Sequence, residues 1–282
     1  MSCDAAFRFV ARRCLMDMTA YHQATCHGNP EALHQMRIAL TRLRTTISFF
    51  SPMVSGPPRT RIRADLKWLQ AQLGAVRDLD VAIERLKEIN KRPQEIPNFH
   101  AWRNKRVDSH RHLARALHSV RYRHLIESAF RWIERGSWST KSGKIARRER
   151  TVPISAYSAR KLARWQKKLL KKSDELSSMS AKKRHRLRMM NKKLCYSIEF
   201  LEDLFADKKR SRQQAALKYL RKAQKSLGEM NDDVKGWALA ADMEFKNAHL
   251  PSRPLLQKRN KQLIQTASTA YRKLAALKPI RP

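Results

Sequence analysis

The chain is expected to be all-α, built as two pseudo-symmetric four-helix-bundle-like halves from an internal duplication. Three observations carry that expectation. Glycine is scarce, 7 of 282 residues, and strand-type alternation is hard to find, while apolar residues recur at the three- and four-residue spacing of helices. His34-Gln-Met-Arg37-Ile-Ala-Leu-Thr41-Arg42-Leu43-Arg44 is echoed by His185-Arg-Leu-Arg188-Met-Met-Asn-Lys192-Lys193-Leu194-Cys195. A second pair, Leu73-Gly74-Ala-Val-Arg77-Asp78 and Leu227-Gly228-Glu-Met-Asn231-Asp232, follows in the same order at nearly the same separation, as a duplicated unit of about half the chain requires.

The periodicity predicts helices over about 4–27, 30–51, 59–75, 78–91, 98–119 and 121–135 in a first half of about 1–135. The polar, Ser/Lys/Arg-rich stretch 136–152 reads as a linker. A second half of about 153–282 gives helices over about 154–176, 181–206, 209–228, 231–248 and 252–277. Together these make a single domain of two halves. At 30–51, Asn29 is a good N-cap, Pro30 suits the first helical position and Glu31 suits the positive end of the helix dipole. Leu33, Met36, Leu40, Leu43, Ile47 and Phe50 then form a bundle seam. Beside it runs a polar stripe, His34, Arg37, Thr41 and Arg44. The second half repeats both, with Ser180 as cap, Leu187, Met190, Leu194, Ile198 and Leu201 as seam, and His185, Arg188, Lys192 and Cys195 as stripe. Gly74 and Gly228 are expected to end their helices, and Asp78 and Asp232 to cap the next ones or to hold basic residues.

Charge bears on partners. Lys+Arg 61 against Asp+Glu 24 gives a formal charge of +37. Such self-repulsion is relieved by a polyanion: nucleic acid, an anionic membrane surface or another phosphate polymer. The apolar fraction of 42% is enough for a core. No apolar run approaches 18 residues, so membrane insertion is not expected. The arginines at 8, 12 and 13 interrupt any signal-peptide pattern. Cys3, Cys14, Cys26 and Cys195 show no zinc spacing, and reduced thiols in the cytoplasm are the simplest account.

The candidate phosphate contacts are His34, Arg37, Arg42, Arg44, His185, Arg188, Lys192 and Lys193, with Arg63 and Lys67 from the basic third helix and Lys218 and Arg221 from its counterpart. Arg59, Arg61, Lys208, Lys209, Arg210, Arg212, Lys222 and Lys225 add charge to those helices. Arg offers a planar fork and Lys a point charge. The two histidines have two readings, as phosphate donors or as side chains that pack and bond within the fold. Asp78, Asp80, Asp232 and Asp233 fit capping and ion pairing better than metal or acid–base chemistry. His110, His112, His118 and His124 lack suitable co-ligands by spacing and read as packing or solvent-facing. Trp68, Trp102, Trp132, Trp165 and Trp237 lie in amphipathic helices and read as core or bundle-edge residues.

The motif H-x-x-R with its following basic residues, and Leu73-Gly74-Ala-Val76-Arg77-Asp78-Leu79-Asp80-Val81 after it, resemble the CHAD family, the conserved histidine α-helical domain. Leu227-Gly228-Glu-Met230-Asn231-Asp232 is similar to the family's second-half variant. The resemblance covers nearly the whole chain. It implies two pseudo-symmetric four-helix bundles, a basic surface or pore shared by both halves that binds inorganic polyphosphate, no catalysis, and no resident cofactor. Association with polyphosphate granules accords with it. Thr41 and Cys195 stand where the family has basic residues. The E-x-E-x-K element of the triphosphate-tunnel domain that some relatives carry is missing, so triphosphatase activity is not expected and the chain reads as stand-alone. The rival expectation is a sequence-nonspecific RNA- or DNA-binding protein; no RRM, KH, zinc-finger or base-stacking signature supports it.

Overall fold

In the computed structural model, residues 1–89, 99–140, 143–202, 207–242 and 253–280 are described. The side chains of Lys208, Lys209 and Trp237, and the helix ends expected at 90–91, 203–206 and 243–248, lie outside the described residues. Among the described residues the secondary structure is helical: α1 (Cys3–Ala20), α2 (His22–Cys26), α3 (Pro30–Phe49), α4 (Pro57–Ile89), α5 (Phe99–His118), α6 (Val120–Arg135), α7 (Lys144–Thr151), α8 (Ile154–Ser173), α9 (Ala181–Glu199), α10 (Asp207–Asp242) and α11 (Arg253–Ala275). No described helix is long and apolar enough to cross a membrane.

Two compact units divide the chain, Met1–Val152 with Ala238–His249, and Pro153–Trp237 with Leu250–Pro282. In the first unit α1 packs on α3 and α6, and α4 packs on α3, α5 and α6. The α3 seam is the centre of this core: Leu33, Met36, Leu40, Leu43, Ile47 and Phe50 are all buried. At about 1.5–3 kcal/mol for each buried side chain, that stripe rather than helix propensity holds α3 in place. The start of α3 follows its cap, because Asn29 Oδ1 accepts from the backbone N–H groups of Glu31 and Ala32 at 3.0 and 2.9 Å. The helix expected over 4–27 is divided at Tyr21, and Gly28, with φ +80, makes the turn after α2.

In the second unit α8 packs on α9 and α11. Leu187, Leu194, Ile198 and Leu201 are buried as the seam requires, whereas Met190 is half-buried. A polar knot ties this unit together. Asn191 donates to the Leu220 carbonyl of α10 at 2.9 Å and to Gln224 Oε1 at 3.0 Å, and accepts from the Tyr271 hydroxyl of α11 at 3.1 Å. Such a buried amide stabilises only because its bonds are made.

Two expectations are corrected here. The stretch 136–152 is not a bare connector, because Trp138 is buried and 144–151 is helical, so the first compact unit runs on to Val152. Gly74 and Gly228 do not end helices. They lie inside α4, of 33 residues, and α10, of 36 residues, and Asp78 and Asp232 therefore cap nothing.

A glycine inside a helix costs about 0.5–1 kcal/mol relative to alanine, so the neighbours of these two matter. A Cβ at Gly74 would stand 3.4 Å from Arg37 Nη1, and one at Gly228 would stand 3.8 Å from Arg188 Nε. Gly228→Ala is expected to raise stability by about 0.5–1 kcal/mol in urea melts. Gly74→Ala should gain less, because its methyl group would stand closer to the Arg37 guanidinium, at 3.4 Å.

Candidate functional site

Within each unit the H-x-x-R motif meets the glycine motif that follows it. Arg37, in the middle of α3, lies across α4 at Gly74 and donates from Nη1 to the Leu73 carbonyl at 3.1 Å. That carbonyl has a second lone pair free for this bond within the helix ladder. Arg188 of α9 lies over Gly228 of α10 in the same way. Its Nε is buried with no hydrogen-bond partner among the described residues. His185 Nδ1 lies 2.9 Å from Asn231 Oδ1, so Nδ1 carries the proton in this pair and Nε2 is left for a second partner. His34 is half-buried, and Thr41 turns its hydroxyl back to the Arg37 carbonyl at 2.8 Å. Thr41 therefore supports its own helix and adds no cation to the stripe.

The basic character is concentrated where the last third of α3 faces the start of α4. Arg44 is half-buried, and Arg59 and Arg63 stand one turn apart on the first turns of α4, with Lys67 one turn further. Burial, then the charge of Arg63, push the Arg44 guanidinium below its ordinary value, and the same two causes act in that order on Arg59. Arg59 Nε is buried with no hydrogen-bond partner among the described residues. Like charges held together this way raise the energy of the free protein, and an anion placed among them lowers it. Arg59 was legible in the sequence only as one of several basic residues. Its spacing of four from Arg63 was the available signal, and burial of its Nε was not.

Apart from Arg63 and Lys67 of that cluster, whose side chains are exposed, the other candidates are dispersed. Arg42 points toward α1, where it opposes the burial that pushes the Cys14 thiol up to about 12. Lys192 is half-buried, and Lys193 and Lys218 are exposed. Arg221 is bound to Glu199 at 2.8 Å, and that hydrogen bond holds the guanidinium above its ordinary value. Cys195, in register with Arg44, is not on a polar face. It is buried, and burial pushes its thiol up to about 12. The basic cluster of the first unit thus has no counterpart at that position of the second.

The acidic residues of the second motif serve the scaffold. Asp80 is buried on α4 and accepts from Arg106 Nε of α5 at 2.7 Å, while His110 Nε2 lies 3.2 Å away. Burial alone would raise the Asp80 carboxyl; hydrogen bonds from His110 and Arg106, with their charges, hold it below its ordinary value. A depressed folded-state value means that the contribution is complete above the unfolded value, about 3.9, and is lost as pH falls through the folded one. Asp80→Asn is expected to lower stability by about 1.5–3 kcal/mol at neutral pH. The difference from the wild type should shrink in melts below about pH 4. Asp233 lies 3.8 Å from Arg259 of α11, a looser ion pair of the same kind in the second unit. The aromatic residues are structural as well: Trp102 and Trp132 are buried, Trp68 lies under Arg121 at 4.4 Å, and Trp165 under Lys161 at 5.7 Å.

The CHAD domain family matches residues 10–241, a span that contains both H-x-x-R motifs and both glycine crossings. The chain belongs to the CHAD family. The crystal structure of the CHAD domain from the plant Ricinus communis superimposes with a TM-score of 0.79 at 25% sequence identity, covering 100% of this chain and 95% of that one. PptA from Streptomyces chartreusis matches with a TM-score of 0.61 at 14% identity, covering 98% of both chains, and shares the fold. No curated protein matches significantly. The all-α expectation for this CHAD domain therefore stands on its own helices and on a solved relative.

Proposed function

We propose that this CHAD domain binds inorganic polyphosphate without catalysis, and that Arg44, Arg59 and Arg63 of the first unit form its strongest contact. One observation carries the reading: three guanidiniums, two of them depressed by burial and by their neighbour, meet no carboxylate among the described residues. A polyphosphate segment would bring several negative charges to that cluster, with Lys67 and the opening turn of α4 beside it. Arg188, Lys192 and His185 offer a further row in the second unit. Arg37 acts partly as scaffold, because its fork is already shared with the Leu73 carbonyl. Phosphate contact by partly desolvated arginines is stronger than by exposed ones, and release of counterions from the polymer adds an entropic gain. Asp80, the most buried acid of the motif, is committed to Arg106 and His110, which fits a binding role. A cytoplasmic location, with association to polyphosphate granules, accords with four free cysteines.

The test is a titration of long-chain polyphosphate at salt concentrations from about 50 to 200 mM, with RNA as competitor at matched phosphate concentration. Affinity should fall steeply with salt, and RNA should compete weakly and without regard to sequence. A flat salt dependence removes the electrostatic mechanism, and an RNA that displaces polyphosphate makes nucleic acid the partner. Tripolyphosphate with Mg²⁺ should release no phosphate.

A further inference from the structure

His22, Cys26 and His118 lie away from the basic face, and we propose that they form a binding site for a thiolate-preferring divalent metal ion of the zinc type. His22 and Cys26 stand one turn apart on α2, and His118 ends α5. One ligand atom from each residue lies within 4.8 Å of the other two. His22 Nε2 and Cys26 Sγ are 3.8 Å apart. Zinc holds sulfur at about 2.3 Å and imidazole nitrogen at about 2.0–2.1 Å in a tetrahedron, so one sulfur and two nitrogens must lie about 3.3–3.6 Å from one another. The His22–Cys26 pair is within a few tenths of an ångström of that spacing, and a rotamer adjustment of the exposed His118 closes the third side.

The surroundings are those of a site rather than of a chance surface group. Tyr122 of α6 stacks on the His22 ring at 5.0 Å with 19° between planes, and the His118 ring meets His22 edge-on at 5.7 Å. These contacts fix the imidazole, as outer-shell groups do for metal-bound histidines. The Tyr122 hydroxyl is buried with no hydrogen-bond partner among the described residues. A thiolate, or water on a fourth metal position, would give the hydroxyl the acceptor it lacks.

Two imidazoles and a thiolate form a borderline-soft donor set, suited to Zn²⁺ and to Co²⁺ as its spectroscopic substitute. Binding deprotonates Cys26 and releases that proton to solvent. His22 gives up its contact of 3.2 Å with the Leu117 carbonyl and moves its own proton from Nε2 to Nδ1. The consequence is a clip that joins α2 to the end of α5 in place of the contact between His22 and the Leu117 carbonyl.

The sequence hid this site because His118 is far along the chain from Cys26, and only the packing of α2 against α5 brings them together. The experiment uses the full, tag-free chain under a phosphine reductant, titrated with Co²⁺ alone and without polyphosphate. One equivalent should produce a thiolate-to-cobalt charge-transfer band in the near ultraviolet and a higher melting temperature. Cys26→Ser and His118→Ala should each remove the band or weaken binding by more than about a hundredfold, with metal-free melting unchanged for the exposed His118. His112→Ala, on the same helix, should bind as the wild type does. A band that persists in Cys26→Ser, or no stoichiometric band at all, overturns the site.

Discussion

Arg44→Ala, Arg59→Ala and Arg63→Ala combined in one chain are expected to weaken long-chain polyphosphate binding about a thousandfold without lowering the melting temperature. Each charged hydrogen bond to phosphate is worth about 1.5–3 kcal/mol when lost. A long polymer slides to neighbouring cations, so the low end of that range applies. Three such losses give about 4.5 kcal/mol, or about three powers of ten. Stability should move the other way. Arg44 and Arg59 are held below their ordinary values by burial and by Arg63, and Arg59 Nε has no partner among the described residues. Removing the cluster therefore removes repulsion and one unsatisfied donor, against which stands only the packing of the aliphatic stems. Weaker binding together with an unchanged or higher melting temperature is the signature of residues placed for a ligand. Wild-type affinity in the triple variant would move the site elsewhere. Arg221→Ala is the internal contrast: its guanidinium is already neutralised by Glu199, and its loss should change affinity less than tenfold.

Trp138→Ala is expected to have the largest effect on stability, about 3–5 kcal/mol. The residue comes from the stretch that reads as a linker, yet it is completely buried. Its ring meets Phe7 edge-on at 5.1 Å, and Phe7 in turn meets Trp132 at 5.5 Å and Phe50 at 5.7 Å. Phe7 is thus the hub of an aromatic cluster that joins α1, α6, the end of α3 and the segment after α6. Trp138 Nε1 donates to the Trp132 carbonyl at 2.7 Å, Arg8 lies over its ring at 5.0 Å, and Arg150 donates to its backbone carbonyl at 3.1 Å. Truncation leaves a cavity the size of an indole and takes one of two donors from the Trp132 carbonyl, which keeps the Gly136 N–H at 3.1 Å. Gly136→Ala should reproduce much of this loss without touching the ring. A Cβ there would stand 2.4 Å from the Trp132 carbonyl and 2.5 Å from Trp138 Nε1, and neither can withdraw within a packed core. Thermal and urea melts followed by tryptophan fluorescence read both. A loss below about 1 kcal/mol in Trp138→Ala would contradict the buried cluster.

The sequence by itself determined the helical class, the caps of α3 and α9 and the buried stripe of α3. These are local consequences of periodicity and of side chains that bond their own backbone: Asn29 caps α3, and Ser180 Oγ accepts from the N–H of Lys183 at 3.4 Å. It also set the charge, and with it the expectation of an anionic partner. Its motifs singled out Arg37 with Gly74, and Arg188 with Gly228, though not what the glycines do. Read alone, a glycine followed by an aspartate marks a helix end. In the fold α4 and α10 run through both, a guanidinium from the adjacent helix passes over each glycine, and the packing on either side offsets the cost of glycine within a helix. Tertiary structure alone decided that Cys195 belongs to the core while Arg44, in register with it, stays half-buried beside Arg59 and Arg63. It alone drew Trp138 out of a polar stretch into the aromatic cluster and set His118 beside His22 and Cys26. Periodicity reports which face of a helix is apolar. Which neighbour covers that face, and which cations are left crowded and partly dry, depends on contacts between segments distant in the chain, and these exist only once the helices have packed.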